Sequence, residues 1–360
     1  MSGLIELLEG LLEDEPDLSV VLTASRGVTL PANLPDRVEH RARPADLKQK
    51  AERFLNDVDP HVVVLTGDDL VLSAIPACKA REIPLLLVDA HLTSKVGALS
   101  FLTDMRTRNR LRQFDRVLAA SEADAAQFRN AGGDDEAVEV LGPLEPGPKP
   151  PSCNPGERDE LADLIGTRPV WSAVALRPDE VGAVERAHRQ SSRISHRLLL
   201  IISPADPSDE EAIAEQLAGS NWAVGRRSQS VDPSPEIDIL IADDPEELGL
   251  WVRLAPITFI GSSLYDPGVA LDPYGPACLG SAVLHGPKMG AYAEQAERLN
   301  SAGASVIVQD GDQLGEAVMQ LLSPERAARQ AHRAWEVTSA GAESVARARE
   351  VVLHALDQAG

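Results

Sequence analysis

Small and hydroxyl residues directly follow an apolar, strand-like run in the second half of the chain. The run Ile-Thr-Phe-Ile is followed by Gly261, Ser262 and Ser263. Small residues at such a point let backbone N–H groups approach an anion, and serine hydroxyls add further donors. The pattern therefore predicts an anion contact at Ser262 and Ser263, although it is equally typical of an ordinary tight turn.

A second candidate segment carries acidic side chains. After the run Asp-Ile-Leu-Ile-Ala, Asp244 and Glu247 have the spacing of a helix capping box. Acidic residues suit the first turn of a helix without any ligand. A carboxylate of this acidic segment, 243–249, is also a candidate for binding a ribose hydroxyl. Arg227, at the end of a third strand-like run, is a candidate for a phosphate or for a solvated surface position.

The sequence offers no pattern typical of a metal site or of covalent catalysis. Its cysteines, Cys78, Cys153 and Cys278, are far apart, and neither a CxxC pair nor a His-rich tract occurs. His91 and His285 follow strand-like runs and are expected to be structural or surface residues. We therefore expect no metal and no other cofactor.

The charge balance limits the classes of partner. The net charge is −22, and so acidic a chain repels nucleic-acid phosphate and anionic lipid. One local exception is a basic cluster, which fits either a solvated helix face or peripheral contact with a membrane. It consists of Arg106, Arg108, Arg110 and Arg112. No run of about 18 apolar residues and no signal-peptide pattern occurs, so we expect a cytoplasmic protein without a membrane span.

The elements that would position these residues alternate along the chain. In the first half, short apolar runs predict strands and amphipathic segments predict helices. The predicted strands are 18–23, 61–66, 84–90, 116–119 and 138–141, and the predicted helices are 4–12, 44–57, 70–81, 104–113 and 121–132. Strand–helix–strand order at this spacing predicts a parallel sheet with helices on both faces.

The same alternation restarts after a segment rich in proline and glycine. Such a segment fits neither a helix nor a central strand, so it predicts a linker between domains. We predict an N-terminal Rossmann-like domain at 1–145, a linker at 146–165, and a C-terminal Rossmann-like domain at 166–360 that ends in a long helical segment. The fold class is therefore α/β with two parallel-sheet domains.

Several motifs together resemble the 3-deoxy-D-manno-octulosonic acid (Kdo) transferases of lipid A biosynthesis, along nearly the whole chain. The segment IPLLLVDAHL at 83–92 is similar to the family's IPLVLVNARL, and LRQFDRVLAASE at 111–122 is similar to LRQFDLVLAQSE. Further similar motifs in the second half are RPVW at 168–171, ELGL at 247–250, PACLG at 276–280 and VLHGP at 283–287.

This resemblance implies a GT-B glycosyltransferase fold, in which two Rossmann-like domains face a cleft. It implies transfer of Kdo from CMP-Kdo to a lipid A precursor at the inner face of the cytoplasmic membrane. The acceptor would lie on the first domain and CMP on the second. The residues that the resemblance places near the nucleotide are Glu246, Glu247, Arg227, Ser262 and Ser263.

Some family motifs differ in this chain, and other functions stay open. By the register of the resemblance, the Glu that acts as the family's catalytic base falls before Met1. The family's GSTHE motif reads Val-Ala-Leu-Arg-Pro here, so that Arg177 is a new cationic candidate. Asp68 and Asp69 are alternative bases for an acceptor hydroxyl, or else helix caps. A non-catalytic binding or regulatory protein of envelope biosynthesis is a second hypothesis, and a sugar-nucleotide epimerase or hydrolase is a third.

Overall fold

The chain folds into two compact α/β units. The computed structural model describes residues 2–25, 28, 30, 34–67, 71–91, 109–130, 132–145, 147–148, 150–265 and 271–359. The first unit comprises residues 1–147 and 340–360, and the second comprises residues 148–339.

The first unit contains parallel strands covered by helices. Its helices are α1 (Ser2–Asp14), α2 (Lys48–Val58), α3 (Ala74–Lys79) and α4 (Glu122–Asn130). Its strands are β1 (Val20–Ala24), β2 (Val38–Ala42), β3 (Val63–Thr66), β4 (Leu85–Ala90), β5 (Arg116–Ala119) and β6 (Val138–Val140). Strands β1 and β2 form a parallel pair, and β3-β4-β5-β6 form a four-stranded parallel sheet.

Strand β4 shows why the first unit is layered. Successive side chains of a strand point to opposite faces of its sheet. Leu85 and Leu87 accordingly pack in one core with residues of α2, α3 and α4. Leu86 and Val88 pack in another core with residues of α1 and with residues 345–355. A run of consecutive apolar residues is therefore needed, because both faces of the strand are buried.

The second unit is a seven-stranded parallel sheet. Its strands are β7 (Val170–Leu176), β8 (Leu199–Pro204), β9 (Val224–Arg226), β10 (Ile239–Ile241), β11 (Ile257–Ile260), β12 (Ala282–His285) and β13 (Ser305–Ile307). They lie in the order β13-β12-β11-β7-β8-β10-β9. The strand order therefore proceeds in opposite directions on the two sides of β7. The topological switch point lies between the neighbouring strands β7 and β11.

Helices cover both faces of this sheet. They are α5 (Pro155–Ile165), α6 (Val181–Ser192), α7 (Glu210–Ala218), α8 (Leu248–Leu254), α9 (Tyr274–Cys278), α10 (Ala293–Ser301), α11 (Gly311–Leu321) and α12 (Pro324–Ala359). Leu200 and Ile202 of β8 pack in one core with residues of α6, α7 and α11, and Leu199 and Ile201 pack in another with residues of α5 and α8. The predicted α/β class with parallel sheets is confirmed in both units.

The units differ from the predicted domains at two places. Within the predicted linker, residues 155–165 form α5, which begins with Pro155 in its first turn and is capped by Asn154, whose side chain accepts from the N–H of Gly156 at 3.0 Å. Proline suits a first turn because its missing N–H would have no partner there. Residues 340–360 were predicted in the second domain but lie in the first unit, because Val345, Val351 and Val352 complete the core beneath α1.

Candidate functional site

The loops at the carboxyl ends of β7 and β11 form the candidate site. In open α/β sheets, ligands bind outside the carboxyl ends of the strands at a topological switch point. Arg177 directly follows β7, and Gly261, Ser262 and Ser263 directly follow β11, which is hydrogen-bonded to β7. The sequence therefore placed its serine candidates at the position where the sheet topology predicts a ligand.

The backbone of the serine loop does bind an anion, which is a carboxylate of the same chain. The carboxylate of Glu180 accepts the N–H groups of Ser262 at 2.6 Å, Ser263 at 2.9 Å and Leu264 at 2.9 Å. Glu180 is 1% exposed. The loop's amide groups are therefore satisfied by an internal carboxylate, and a ligand contact at Ser262 and Ser263 stays a prediction.

Strained backbone marks the same place. Ala175 has φ 51° and Ser262 has φ 55°, a left-handed conformation that is unfavourable for residues other than glycine. The hydroxyl of Ser262 donates to the carbonyl of Ala175 at 2.9 Å and so ties the two strained residues together. Such strain persists only where the surroundings impose it, and it is concentrated at functional sites.

Two glycines allow the loops to pack this closely. A Cβ atom on Gly261 would lie 2.7 Å from the carbonyl oxygen of Ala175, and one on Gly286 would collide with the backbone of Ser263. The backbone N–H of Gly286 donates to the hydroxyl of Ser263 at 2.7 Å. The loops after β7, β11 and β12 are therefore held together as one rigid edge.

Arg227 and Glu247 lie together, at strands further along the sheet. The Arg227 guanidinium bonds to Glu247 at 2.7 Å, Glu157 at 2.9 Å and Asp232 at 2.6 Å, and it lies over the Trp251 ring at 5.4 Å. The hydrogen bond that Arg227 donates to Glu247 raises the pKa of Arg227. Arg227 follows β9 and Glu247 follows β10, and β10 is separated from β11 by β7 and β8. Neither of these two residues adjoins the switch point, and the charge of Arg227 is already neutralised.

The predicted capping box at Asp244 forms only in part. The Asp244 side chain accepts the N–H of Glu246 at 2.9 Å, and it caps a short 3-10 turn, Pro245–Glu247, that precedes α8. The reciprocal bond is missing, because the carboxylate of Glu247 accepts from Arg227 and from the indole N–H of Trp251 instead. The side chain of Glu246 is exposed.

In the part of the chain that the structure describes, Arg177 and Lys288 are cations that lie beside the serine loop. The side chain of Arg177 is 36% exposed and lies 3.4 Å from a carboxylate oxygen of Asp179. Lys288 was not identified from the sequence; it follows β12, its backbone N–H donates to the carbonyl of Ser263 at 2.8 Å, and its side chain is exposed. A lysine shortly after a strand is a common surface residue, so only the strand order could have revealed it.

Most of the remaining candidates lie outside the described residues. Asp68 and Asp69, the candidate bases, lie outside the described residues, as do Arg106 and Arg108 of the basic cluster. Arg112 is exposed and donates to the carbonyl of Gly132 at 2.9 Å. In the described parts of the chain, no helix is long and apolar enough to cross a membrane, and no group of three metal-ligating side chains could hold an ion.

His285 is a structural residue. It is buried, its Nδ1 lies 2.8 Å from the carbonyl oxygen of Gly286, and its Nε2 lies 3.2 Å from the hydroxyl of Ser305. Burial lowers its pKa. The ring therefore links the last residue of β12 to the first residue of β13.

Comparison with known proteins identifies relatives of the chain. A family model described as 3-deoxy-D-manno-octulosonic-acid transferase (kdotransferase) matches residues 1–145. The 3-deoxy-D-manno-octulosonic acid transferase of Bordetella pertussis is 28% identical over 310 residues, which are 83% of this chain and 71% of that protein. The transferase of the same name from Haemophilus influenzae is 23% identical over 273 residues, which are 73% of this chain and 62% of that protein.

Two solved structures show limited similarity to the chain. The C-terminal CMP-Kdo binding domain of WaaA from Acinetobacter baumannii has a TM-score of 0.48 and 22% identity, and it covers 51% of this chain and 98% of that domain. A UDP-GlcNAc 2-epimerase from Neisseria meningitidis has a TM-score of 0.43 and 14% identity, with 86% of this chain and 80% of that protein covered.

Proposed function

Since this chain is a divergent relative of the Kdo transferases, we propose that it is a Kdo transferase-like glycosyltransferase of the GT-B type. Its donor is a CMP-sugar, CMP-Kdo by relationship, and its acceptor is a lipid A precursor. The reaction would take place at the inner face of the cytoplasmic membrane, where Arg106, Arg108, Arg110 and Arg112 are candidates for contact with anionic lipid.

The observation that carries this proposal is the position of the serine loop. The family relationship supplies the reaction class, and the loop of Ser262 and Ser263 lies at the switch point of the second unit's sheet, where nucleotides bind in such folds. The Glu180 carboxylate holds this loop rigid, so the donor would meet a preorganised surface.

The transfer step needs a base and a stabilised leaving group. The acceptor hydroxyl oxygen would form a bond to the anomeric carbon of the sugar while the bond from that carbon to the phosphate oxygen of CMP breaks. The hydroxyl proton would pass to a base, for which Asp68 and Asp69 remain candidates. The negative charge that develops on CMP would be stabilised by cationic groups at the carboxyl edge of the sheet.

Calorimetric titration with CMP, with UDP as the control, tests donor binding. We expect CMP to bind with a dissociation constant on the order of micromolar, about −8 kcal/mol, and UDP at least about tenfold more weakly. Absence of CMP binding would refute the assignment of a CMP-sugar donor.

A transfer assay tests catalysis separately. Incubation with CMP-Kdo and a lipid A precursor should release CMP and yield a lipid heavier by one Kdo, detected by mass spectrometry. Binding of CMP without transfer would favour the non-catalytic alternative. Release of CMP without an acceptor would favour a hydrolase.

A further inference from the structure

The N–H groups of the serine loop are already hydrogen-bonded to Glu180, and this limits where a donor anion can bind. In the second unit, the N–H groups of Ser262, Ser263 and Leu264 are the backbone donors that an anion at the switch point would use, and Glu180 occupies all three. A phosphate placed beside this buried carboxylate would be repelled by it. An anionic ligand at this edge must therefore be held by side-chain cations.

Only some of the cations at the carboxyl edge are available. Arg227 is surrounded by three carboxylates, and Arg226 bonds to Glu210 at 2.6 Å and Glu211 at 2.8 Å. Among the described residues that follow the seven strands, Arg177 and Lys288 are the cations that are not enclosed in this way. Arg177 has one acidic neighbour, Asp179, whose side chain is 45% exposed.

Both available cations flank the serine loop. Arg177 follows β7 and Lys288 follows β12, and these two strands are the neighbours of β11 on either side. Neighbouring strands lie about 4.8 Å apart, so the two backbone positions are separated by roughly 10 Å. Side chains as long as those of lysine and arginine can converge across this distance on one phosphate-sized group.

The backbone of Lys288 is held in place while its side chain is exposed. Its N–H bond to the Ser263 carbonyl, at 2.8 Å, attaches it to the loop that Glu180 holds. Gly286, two residues before it, is packed against the backbone of Ser263. Because the backbone of Lys288 is fixed, its exposed ammonium group can bind a ligand with little loss of backbone entropy.

We propose that Lys288 and Arg177 form an anion-binding site at the switch point, which holds the anionic oxygens of the donor. The site would take the phosphate of the nucleotide or the carboxylate of an acidic sugar. This inference rests on the proposed function, because it assigns the charge-binding residues of the same donor site. Glu180 serves it as a positioning residue that keeps the intervening loop in place.

Titration of Lys288→Gln and Arg177→Gln with four probes tests the proposal. The probes are CMP, which carries a phosphate, free Kdo, which carries a carboxylate, inorganic pyrophosphate, and cytidine, which carries neither. Arg326→Gln is the matched control, since Arg326 is an exposed arginine near the start of α12. Lys288→Arg is the conservative variant that should restore binding.

We expect each of the two site variants to weaken CMP binding by about tenfold or more. The melting temperature should stay unchanged, because both side chains are partly or fully exposed. Cytidine binding should not change, Arg326→Gln should behave as the unaltered protein, and added salt should weaken CMP binding less in the site variants. Loss of CMP binding with unchanged Kdo binding would assign the site to the phosphate, and the reverse result would assign it to the sugar carboxylate.

The outcomes separate the inference from the proposed function. If the unaltered chain binds CMP and both site variants bind it within twofold of Arg326→Gln, the anion site is wrong and the proposed function stands. If pyrophosphate binds in a manner that depends on Lys288 but CMP does not bind, the anion site stands and the donor assignment is wrong. If CMP, Kdo and pyrophosphate all fail to bind, both proposals are wrong.

Discussion

At the scale of single residues, the placement of Glu180 determines the chemistry of the candidate site. A buried carboxylate is costly unless it is fully hydrogen-bonded, and Glu180 meets this condition with three backbone N–H groups. The sequence did predict that Ser262 and Ser263 would bind an anion. It did not identify the anion, because Asp179 and Glu180 precede a helix and resemble ordinary acidic residues of a helix start.

Replacing Glu180 with glutamine should destabilise the second unit. The amide would present an NH₂ group to backbone donors and leave at least one buried N–H without a partner, which costs about 1–3 kcal/mol. We expect the free energy of unfolding in urea to fall by roughly 2–4 kcal/mol. Asp179→Asn, at the neighbouring and more exposed carboxylate, is the control and should change it by less than about 0.5 kcal/mol. Equal stabilities of the two variants would contradict the role given to Glu180.

His188 should make stability depend on pH. Its ring is fully buried, its Nδ1 accepts the indole N–H of Trp171 at 3.2 Å, and burial lowers its pKa from 6.5 to about 3. Below pH 6.5 the unfolded chain therefore binds a proton that the folded chain does not bind until about pH 3. The stability that this residue contributes is complete above pH 6.5 and is lost progressively as the pH falls towards 3.

Unfolding measured at pH 7 and pH 5 tests this expectation. Because of His188, the free energy of unfolding should fall by about 2 kcal/mol when the pH is lowered from 7 to 5. The decrease is roughly 1.4 kcal/mol per pH unit below the ordinary pKa of histidine. His188→Gln should remove that part of the pH dependence, and His196→Gln, at an exposed histidine, should retain it. An identical pH profile for all three proteins would show that His188 does not titrate as described.

At the scale of elements, Arg227 joins segments that are distant in sequence. Its guanidinium connects Glu157 of α5, Asp232 of the loop after β9, and Glu247 of the turn before α8. The sequence predicted Arg227 and Glu247 as separate ligand candidates. Their pairing could not be predicted, because it depends on the order β8-β10-β9, in which β10 lies next to β8 although β9 precedes it in the sequence.

Arg227→Lys should weaken the connection between these three elements and so destabilise the second unit. A lysine keeps the charge but lacks the planar fork that reaches three carboxylates and the Trp251 ring. Since the Arg227 side chain is only 16% exposed, we expect the free energy of unfolding to fall by about 1–3 kcal/mol. Arg158→Lys, in an exposed pair with Asp159, is the control and should have an effect below about 0.5 kcal/mol. Thermal unfolding and the fluorescence of Trp251 would both report the change.

Apolar strands were largely predictable from the sequence, and a polar strand was not. Each of the predicted strands 84–90, 116–119 and 138–141 coincides with an observed strand to within one residue. Strand β2, Val38–Ala42, was missed because its sequence VEHRA is mostly polar and only half-buried. At the predicted capping box, Asp244 caps a 3-10 turn, Pro245–Glu247, that precedes α8, because Asp244 and Pro245 favour a tight start.

At the scale of the whole molecule, the parallel α/β architecture followed from the alternation of apolar runs and helices. The membership of residues 340–360 could not be predicted, since a helix that continues without interruption from Pro324 gives no sequence signal where it passes from one unit to the other. Its apolar residues fit either core by composition. Only tertiary packing decides which core they enter.

Val352→Asp should destabilise the first unit selectively. Val352 is 4% exposed and packs in the core that contains Leu7, Leu11 and Leu86. A buried unpaired carboxylate should lower the stability of that unit by about 3 kcal/mol or more. His354→Asp, at an exposed position of the same helix, should have little effect. Hydrogen exchange should show faster exchange within residues 1–147 and unchanged exchange within residues 170–330, and a uniform loss of protection would contradict this division.

The division of α12 between the units has a consequence for the order of events during translation. The second unit is formed by one continuous stretch, residues 148–339, and can begin to fold while the ribosome is still adding residues. The first unit emerges earlier but must wait for Val345, Val351 and Val352 before its second core is complete. Nascent chains would therefore expose Leu7, Leu11 and Leu86 for the whole time that the second unit is being synthesised. At elongation rates of about 5–20 residues per second, this is a delay of roughly 10–40 s in which chaperones could engage the chain.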